Sequence, residues 1–249
     1  MATLFSPICI TDLETPSVNT DLLGIPSGAC VISANSNIGF GRTASQEEMH
    51  VGCSPQSLPA KLFTPPLRHD QVMVLCGCEA LIELSGYGRT AALTSIVPTG
   101  KHDWSGRTML FMDALELESY NTSTSTPDLL PGNVDRELTK AYTAFSSYED
   151  APPYTSVVTG HWGCRAFGGN REIKSMIQWC AASMAGVELN FVCDKSDSFA
   201  SDFRSFTSHA LNSEWTVHAV VAVLRKMGPT DEGVRPAFRY VRRILDGQP

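Results

Sequence analysis

Two adjacent carboxylates, Glu47 and Glu48, stand shortly after a glycine-punctuated turn, Gly39-Phe40-Gly41. Paired acids can do general acid and base work, and glycine lets backbone approach a ligand closely. Taken alone, acids at a helix start are more often a solvated first turn. A second stretch adds weight: Gly160-His161-Trp162-Gly163-Cys164-Arg165-Ala166-Phe167-Gly168-Gly169 runs into Ile173, Ile177, Cys180 and Met184 at helical spacing. That spacing predicts a helix over 171–185. A flexible loop entering a helix N-terminus cradles a phosphate, because unpaired N–H groups and the helix dipole both favour an anion there. The two stretches together point to chemistry on a phosphorylated substrate.

The elements that must position them alternate. Cys30-Val31-Ile32 reads as a buried strand leading to Asn35, and 46–63 as a helix interrupted near Pro55 and Pro59. Further strands are expected at 72–76, 80–84, 91–97, 107–115, 155–159 and 189–193. Further helices are expected over 198–211, 217–226 and 236–245, and one that Asn133 caps, with Val134, Leu138, Ala141 and Phe145 as its stripe. Residues 119–132 read as a surface loop and 1–27 as an irregular lead-in to a single domain over 28–249. Such alternation indicates an α/β sandwich with a largely parallel or mixed sheet.

At 249 residues and 43% hydrophobic composition, the chain can bury a full core as one domain. A net charge of −7 argues against DNA or other nucleic acid bound through the whole surface. Six of the 19 Lys and Arg residues fall from Arg225 onward, which reads as the solvated face of a terminal amphipathic helix carrying Arg235, Arg239 and Arg242. Eight scattered cysteines in a chain of this length read as reduced core residues, and no spacing suits a structural metal. No run approaches the roughly 18 apolar residues that span a bilayer, and no secretory signal is evident, so an intracellular, cytoplasmic or nuclear protein is expected. The Asn121-Thr122-Ser123 sequon would then stay unmodified.

Laid out together, these motifs resemble the catalytic domain of the poly(ADP-ribose) glycohydrolases, whose core is a macrodomain. The family marker is a glycine run followed by Gln-Glu-Glu, matched by Gly39 and Gly41 ahead of Gln46-Glu47-Glu48. The second stretch matches the family's Gly-Asn-Trp-Gly-Cys-Gly-Ala-Phe-Gly-Gly at eight of ten positions. Ser85-Gly86-Tyr87, Met112-Asp113-Ala114-Leu115 and the segment from Arg136 to Tyr142 follow in the same order.

The resemblance implies a macrodomain-like three-layer α/β/α sandwich around a central mixed sheet. It also implies hydrolysis of ribose–ribose O-glycosidic bonds in poly(ADP-ribose), releasing ADP-ribose without a cofactor. By position, Glu48 would be the catalytic acid/base, Glu47 would hold ribose hydroxyls beside Asn35, and Tyr87 would cover the adenosine end. Gly163, Cys164, Arg165, Ala166, Phe167 and Gly168 would wrap the diphosphate, and Gly39, Gly41 and Gln46 would complete the substrate site. The partners implied are poly(ADP-ribose) or ADP-ribosylated proteins, met by a monomer. The chain departs from the pattern at Phe40, at Ser33 in place of the strand's aspartate, at Arg165 in place of a glycine, and at Cys193-Asp194-Lys195 in place of Phe-Gly-Asp. Arg165 reads equally as a phosphate-binding residue or as a surface side chain, and His161 as a loop histidine without a catalytic role. The altered turn leaves two alternatives open: a non-catalytic reader of ADP-ribose, or a hydrolase of mono-ADP-ribose.

Overall fold

The computed structural model describes residues 3–39, 41–43, 45–119, 124–146, 148, 153–195, 198–229 and 236–247. Phe40, the Asn121-Thr122-Ser123 sequon and Arg235 lie outside them. Strands β1 (Ile8–Leu13), β2 (Ser17–Val18), β3 (Ala29–Ala34) and then helix α1 (Gln46–Cys53) lead into β4 (Met73–Cys76), β5 (Ile82–Ser85), β6 (Ala92–Ile96) and β7 (Thr108–Asp113). Helix α2 (Asn133–Phe145), β8 (Ser156–Thr159), α3 (Arg171–Ala185), β9 (Glu188–Asp194), α4 (Phe199–Asn212), α5 (Val217–Lys226) and α6 (Ala237–Leu245) complete the order.

Six strands form one sheet in the order β1-β9-β8-β3-β7-β4. All are parallel except β4, which runs antiparallel to β7. Strands β3 and β7 read as continuous apolar runs because both of their faces are covered. Val31, Leu110 and Met112 face a core built from α2 to α6, while Cys30, Ile32, Met109 and Phe111 face a second core with Val51 of α1. Helices therefore lie on both faces of a mixed sheet. A separate antiparallel sheet, β2-β5-β6, packs beside α1.

Local sequence explains most boundaries. Asn170 caps α3 by accepting from the N–H groups of Glu172 and Ile173 at 3.0 and 3.2 Å, and Gly186 ends it in the left-handed conformation. Pro55 halts α1, and a 3-10 segment, Pro55–Leu62, takes its place. In α6, Phe238 stacks on Phe203 and Phe206 at 5.3 and 4.8 Å while Arg239 and Arg242 stay exposed, so this helix docks on the core. No described helix is long and apolar enough to cross a membrane.

Four expectations need correcting. The N-terminal segment is not irregular throughout: β1 is an edge strand of the main sheet, with Ile8 paired to Leu189 and Leu13 to Asp194. Asn133 does not cap α2; it is the first helical residue after Gly132, and its amide donates to the Pro127 carbonyl at 2.8 Å. The described part of the 119–132 loop is partly interior, with Thr126, Asp128 and Leu129 buried. The eight cysteines form no disulfide, but Cys9 and Cys76 are exposed rather than core residues.

Candidate active site

Parallel strands bring their carboxyl ends to one edge of the sheet, where open α/β folds place their clefts. Ala34 lies opposite Asp113, and Thr159 opposite Phe191, so Asn35, Ala114, Gly160 and Asp194 converge there. A cavity of about 420 Å³ opens at this edge, lined among others by Asn35, Gln46, Glu47, Glu48, Tyr87, Gly163, Arg165, Ala166 and Phe167. Segments separated by more than a hundred residues in sequence thus share one cleft.

One wall is built by the acids themselves. Glu47, buried in the first turn of α1, accepts from the N–H groups of Asn35 at 3.0 Å and Gly39 at 2.8 Å, one on each oxygen. Burial raises its proton affinity above the ordinary carboxylate value against the pull of those two hydrogen bonds. Glu48 turns back on its own helix start, accepting from Gly41 N–H at 3.1 Å, Ser45 N–H at 2.8 Å and the Ser45 hydroxyl. Burial pushes its pKa up, but the hydrogen bonds from Ser45, Gly41 and Thr43 together outweigh burial and leave it lowered. The carboxyl pKa values of these adjacent residues are thus shifted in opposite directions, Glu47 up and Glu48 down.

Gln46 lines the cleft, yet its amide is spent on β3, accepting from Ser33 N–H at 3.0 Å and donating to the Val31 carbonyl at 3.3 Å. It clamps the helix to the strand. Asn35 donates through its side chain to Glu116 at 3.2 Å and accepts from Asn37 N–H at 2.9 Å. Gly39 and Gly41 hold the carboxylates from behind and are not among the residues facing the cavity.

The opposite wall is the glycine loop. Trp162 anchors it, buried and donating to the Met112 carbonyl at 3.1 Å, and the Gly169 N–H closes it on the Gly163 carbonyl at 2.9 Å. Gly163 has φ +72°, and a Cβ there would sit 2.5 Å from that of Ala114, so this position requires glycine. Cys164 and Gly168, expected against the ligand, do not line the cleft. The loop's curl turns Cys164 into a second hollow with Gly169 and Arg171, and puts Gly168 against Glu118. Burial lifts the Cys164 thiol to about 12, so it stays a neutral thiol. His161 packs edge-on against Phe199 at 4.7 Å.

Sequence reasoning missed what lies behind this loop. Lys174 of α3, 1% exposed, pairs with Glu137 of α2 and lies 4.8 Å from the centre of the Trp162 ring. Glu137 also accepts from Leu115 N–H at 3.1 Å and pairs with Arg136, which reaches on to Asp113; Lys140 meets Asp113 at 2.6 Å. Asp128 accepts from Asn170 N–H at 3.0 Å, and burial raises its pKa against the pull of Lys174. The available signal was charge in an apolar stripe: Glu137 adjoins Leu138, and Lys174 adjoins Ile173.

The sequence matches a known family. The family model described as poly(ADP-ribose) glycohydrolase, macro domain fold, matches residues 22–201. Poly(ADP-ribose) glycohydrolase 1 of Caenorhabditis elegans is 28% identical over 173 residues, 64% of this chain and 22% of the relative. Poly(ADP-ribose) glycohydrolase 2 of the same organism is 25% identical over 211 residues, 79% of this chain and 43% of the relative. The chain therefore spans less than half the length of these relatives. Among solved structures, the Thermomonospora curvata poly(ADP-ribose) glycohydrolase bound to the inhibitor ADP-HPD superposes with TM-score 0.49 at 12% identity, covering 82% of this chain and 78% of the other. The Oceanobacillus iheyensis macrodomain with ADP gives 0.48 at 13%, covering 80% and 97%. Two carboxylates and a glycine loop facing each other across one cleft, inside a family match that covers most of the sequence, place this chain in the poly(ADP-ribose) glycohydrolase family, with its macro domain fold.

Proposed function

We propose that the chain hydrolyses ribose–ribose O-glycosidic bonds in poly(ADP-ribose) and releases ADP-ribose. The observation that carries this reading is the shared cavity, in which Asn35, Glu47 and Glu48 face Gly163, Arg165 and Phe167. In this scheme the glycine loop takes the diphosphate, Tyr87 covers the adenosine end, and Asn35 and Glu47 hold the ribose next to the scissile bond. Glu48 gives a proton to the departing ribose oxygen as the C–O bond breaks, leaving an oxocarbenium-like centre. The resulting carboxylate then takes a proton from water as the water oxygen bonds to that carbon, which restores Glu48. Hydrogen bonds lower the Glu48 pKa, which opposes acid work, and the negative charge of a bound diphosphate would raise the carboxyl's proton affinity.

The relatives' printed names and the ligand classes of the solved structures support an ADP-ribose-bearing substrate. The eight cysteine thiols fit a reducing cytoplasmic or nuclear setting, and a monomer suffices, since one chain supplies both described walls of the cleft. A second reading, a non-catalytic reader of ADP-ribose, draws on one observation: both oxygens of Glu48 are engaged by Gly41 and Ser45.

The deciding experiment measures free ADP-ribose released from purified labelled poly(ADP-ribose), with ADP-ribose binding followed in parallel, for the wild-type chain and Glu48→Gln. Release by the wild type, reduced at least about a hundredfold in Glu48→Gln with binding retained, is the expected result. Tight binding with no release by the wild type leaves the reader and ends the hydrolase reading.

A further inference from the structure

The cleft carries an unfavourable charge for its proposed ligand. Its described lining contains three carboxylic side chains, Glu47, Glu48 and Asp194, and a single Lys or Arg, Arg165. Glu48 is held in the ionised form by its hydrogen bonds. A diphosphate entering this cleft meets like charge at close range, where each uncompensated contact is costly. Arg165 alone among the lining side chains can offset it.

Arg165 is also fixed. Its guanidinium carbon lies 4.8 Å from the centre of the Tyr87 ring, and Nη2 donates to Asp194 Oδ2 at 2.7 Å. Tyr87 follows β5 of the small sheet, Arg165 sits in the glycine loop and Asp194 ends β9, so the contacts bridge three separate parts of the cleft rim. Among the described residues, Nε and Nη1 have no protein acceptor. An exposed ion pair contributes little to stability. A guanidinium held by one nitrogen and one ring face, with two neighbouring N–H groups left over, has the planar fork that grips two oxygens of a phosphate.

We infer that Tyr87 and Asp194 seat Arg165 as an anion clamp, which lets this acid-lined cleft accept a diphosphate through Nε and Nη1 and discriminate against ligands that lack one. Arg165 is the specificity-determining residue, and Asp194 is a positioning residue that acts through it. The inference rests on the proposed ADP-ribose site and concerns binding, so it is separable from turnover.

The test compares affinities for ADP-ribose and for adenosine, the latter read by competition, at low and high salt. The proteins are wild type, Arg165→Gly, Arg165→Lys, Asp194→Ala and Asp194→Asn, each checked for an unchanged melting transition. Arg165→Gly is expected to weaken ADP-ribose about tenfold or more, to leave adenosine unchanged and to flatten the salt dependence. Arg165→Lys restores only part of the loss, because an ammonium lacks the fork. Asp194→Ala loses several-fold of the discrimination, and Asp194→Asn, which keeps an oxygen acceptor, retains it. Undiminished ADP-ribose binding by Arg165→Gly, or a parallel loss of adenosine, overturns the clamp. Tighter ADP-ribose binding by Asp194→Ala overturns the positioning role and makes Asp194 a competitor for Arg165. A wild type that binds ADP-ribose but releases none from the polymer defeats the hydrolase reading and leaves the clamp intact. A wild type that binds no ADP-ribose defeats both.

Discussion

The two walls of the cleft are held in opposite ways. Along residues 35–48, the side chains proposed to do the chemistry are also the ties: Glu47 gathers Asn35 and Gly39, and Glu48 gathers Gly41 and Ser45. The glycine loop is secured from behind by buried ion pairs of Lys174, Glu137 and Arg136, none of which lines the cavity. One wall therefore couples stability to chemistry, and the other separates them. Substitutions in the first should disturb protonation together with loop order, whereas substitutions behind the second should act on folding first.

The largest effect that would break this contrast is expected from Glu137→Leu. Removing the shared partner strands Lys174, 1% exposed, without its counter-ion and should lower unfolding free energy by about 3–5 kcal/mol in urea titrations. A loss below about 1 kcal/mol would mean that the network does not brace the loop. Next comes Gly163→Ala, which forces a Cβ against Ala114 at a left-handed φ of +72°. About 1–3 kcal/mol should be lost, and ADP-ribose affinity should fall with it, read by calorimetry on the still-folded variant. Ser45→Ala sharpens the other side of the comparison. It removes a cap worth about 1 kcal/mol, and it also frees Glu48 from the hydroxyl that lowers its pKa. The alkaline limb of the kcat/KM profile for polymer hydrolysis should therefore move to higher pH, while the same profile in Glu137→Gln stays in place.

The smallest effect concerns Glu47. Its folded-state pKa is raised, so the stability it confers is complete below the ordinary carboxylate value of 4.5 and is lost as pH rises through the folded value. Glu47→Gln should remove that decline. Wild type and variant should agree in denaturation experiments below pH 4.5 and diverge as pH rises above it, by less than the Ser45 effect. Equal stability differences at all pH values would show that the Asn35 and Gly39 hydrogen bonds cancel the burial.

Elements with strong local periodicity were legible. Helices α3 and α5 fall on the expected residues, and β3 and β7 follow their apolar runs. What failed depends on distant partners. Ile8–Leu13 becomes a strand because β9, about 180 residues away, offers it an open edge; its own Thr11 and Asp12 gave no such signal. Asn133 reads as a cap by type, yet Gly132 holds the left-handed position and the Asn133 amide is drawn to Pro127. In the site, residue types identified the two walls, since glycine and carboxylate spacing is local. The direction in which Cys164 and Gly168 face was not legible, because it follows from the curl of the loop over Ala114 and Glu118. The ion pairs behind the loop join α2, α3 and β7, and no window of sequence contains all three.

The edge position of β1 carries a consequence for how the chain avoids its own kind. Strand β9, Glu-Leu-Asn-Phe-Val-Cys-Asp, is shielded on one side by β8 and on the other by β1 alone. A chain trimmed to residue 28, where sequence reading puts the start of the domain, would bare that backbone edge, with Leu189 and Phe191 alternating along it. Such an edge is a template for pairing with a neighbour's strand, and the single acids at either end are thin protection. The N-terminal strand thus serves as a stopper against self-assembly, and trimming it should make the domain clump.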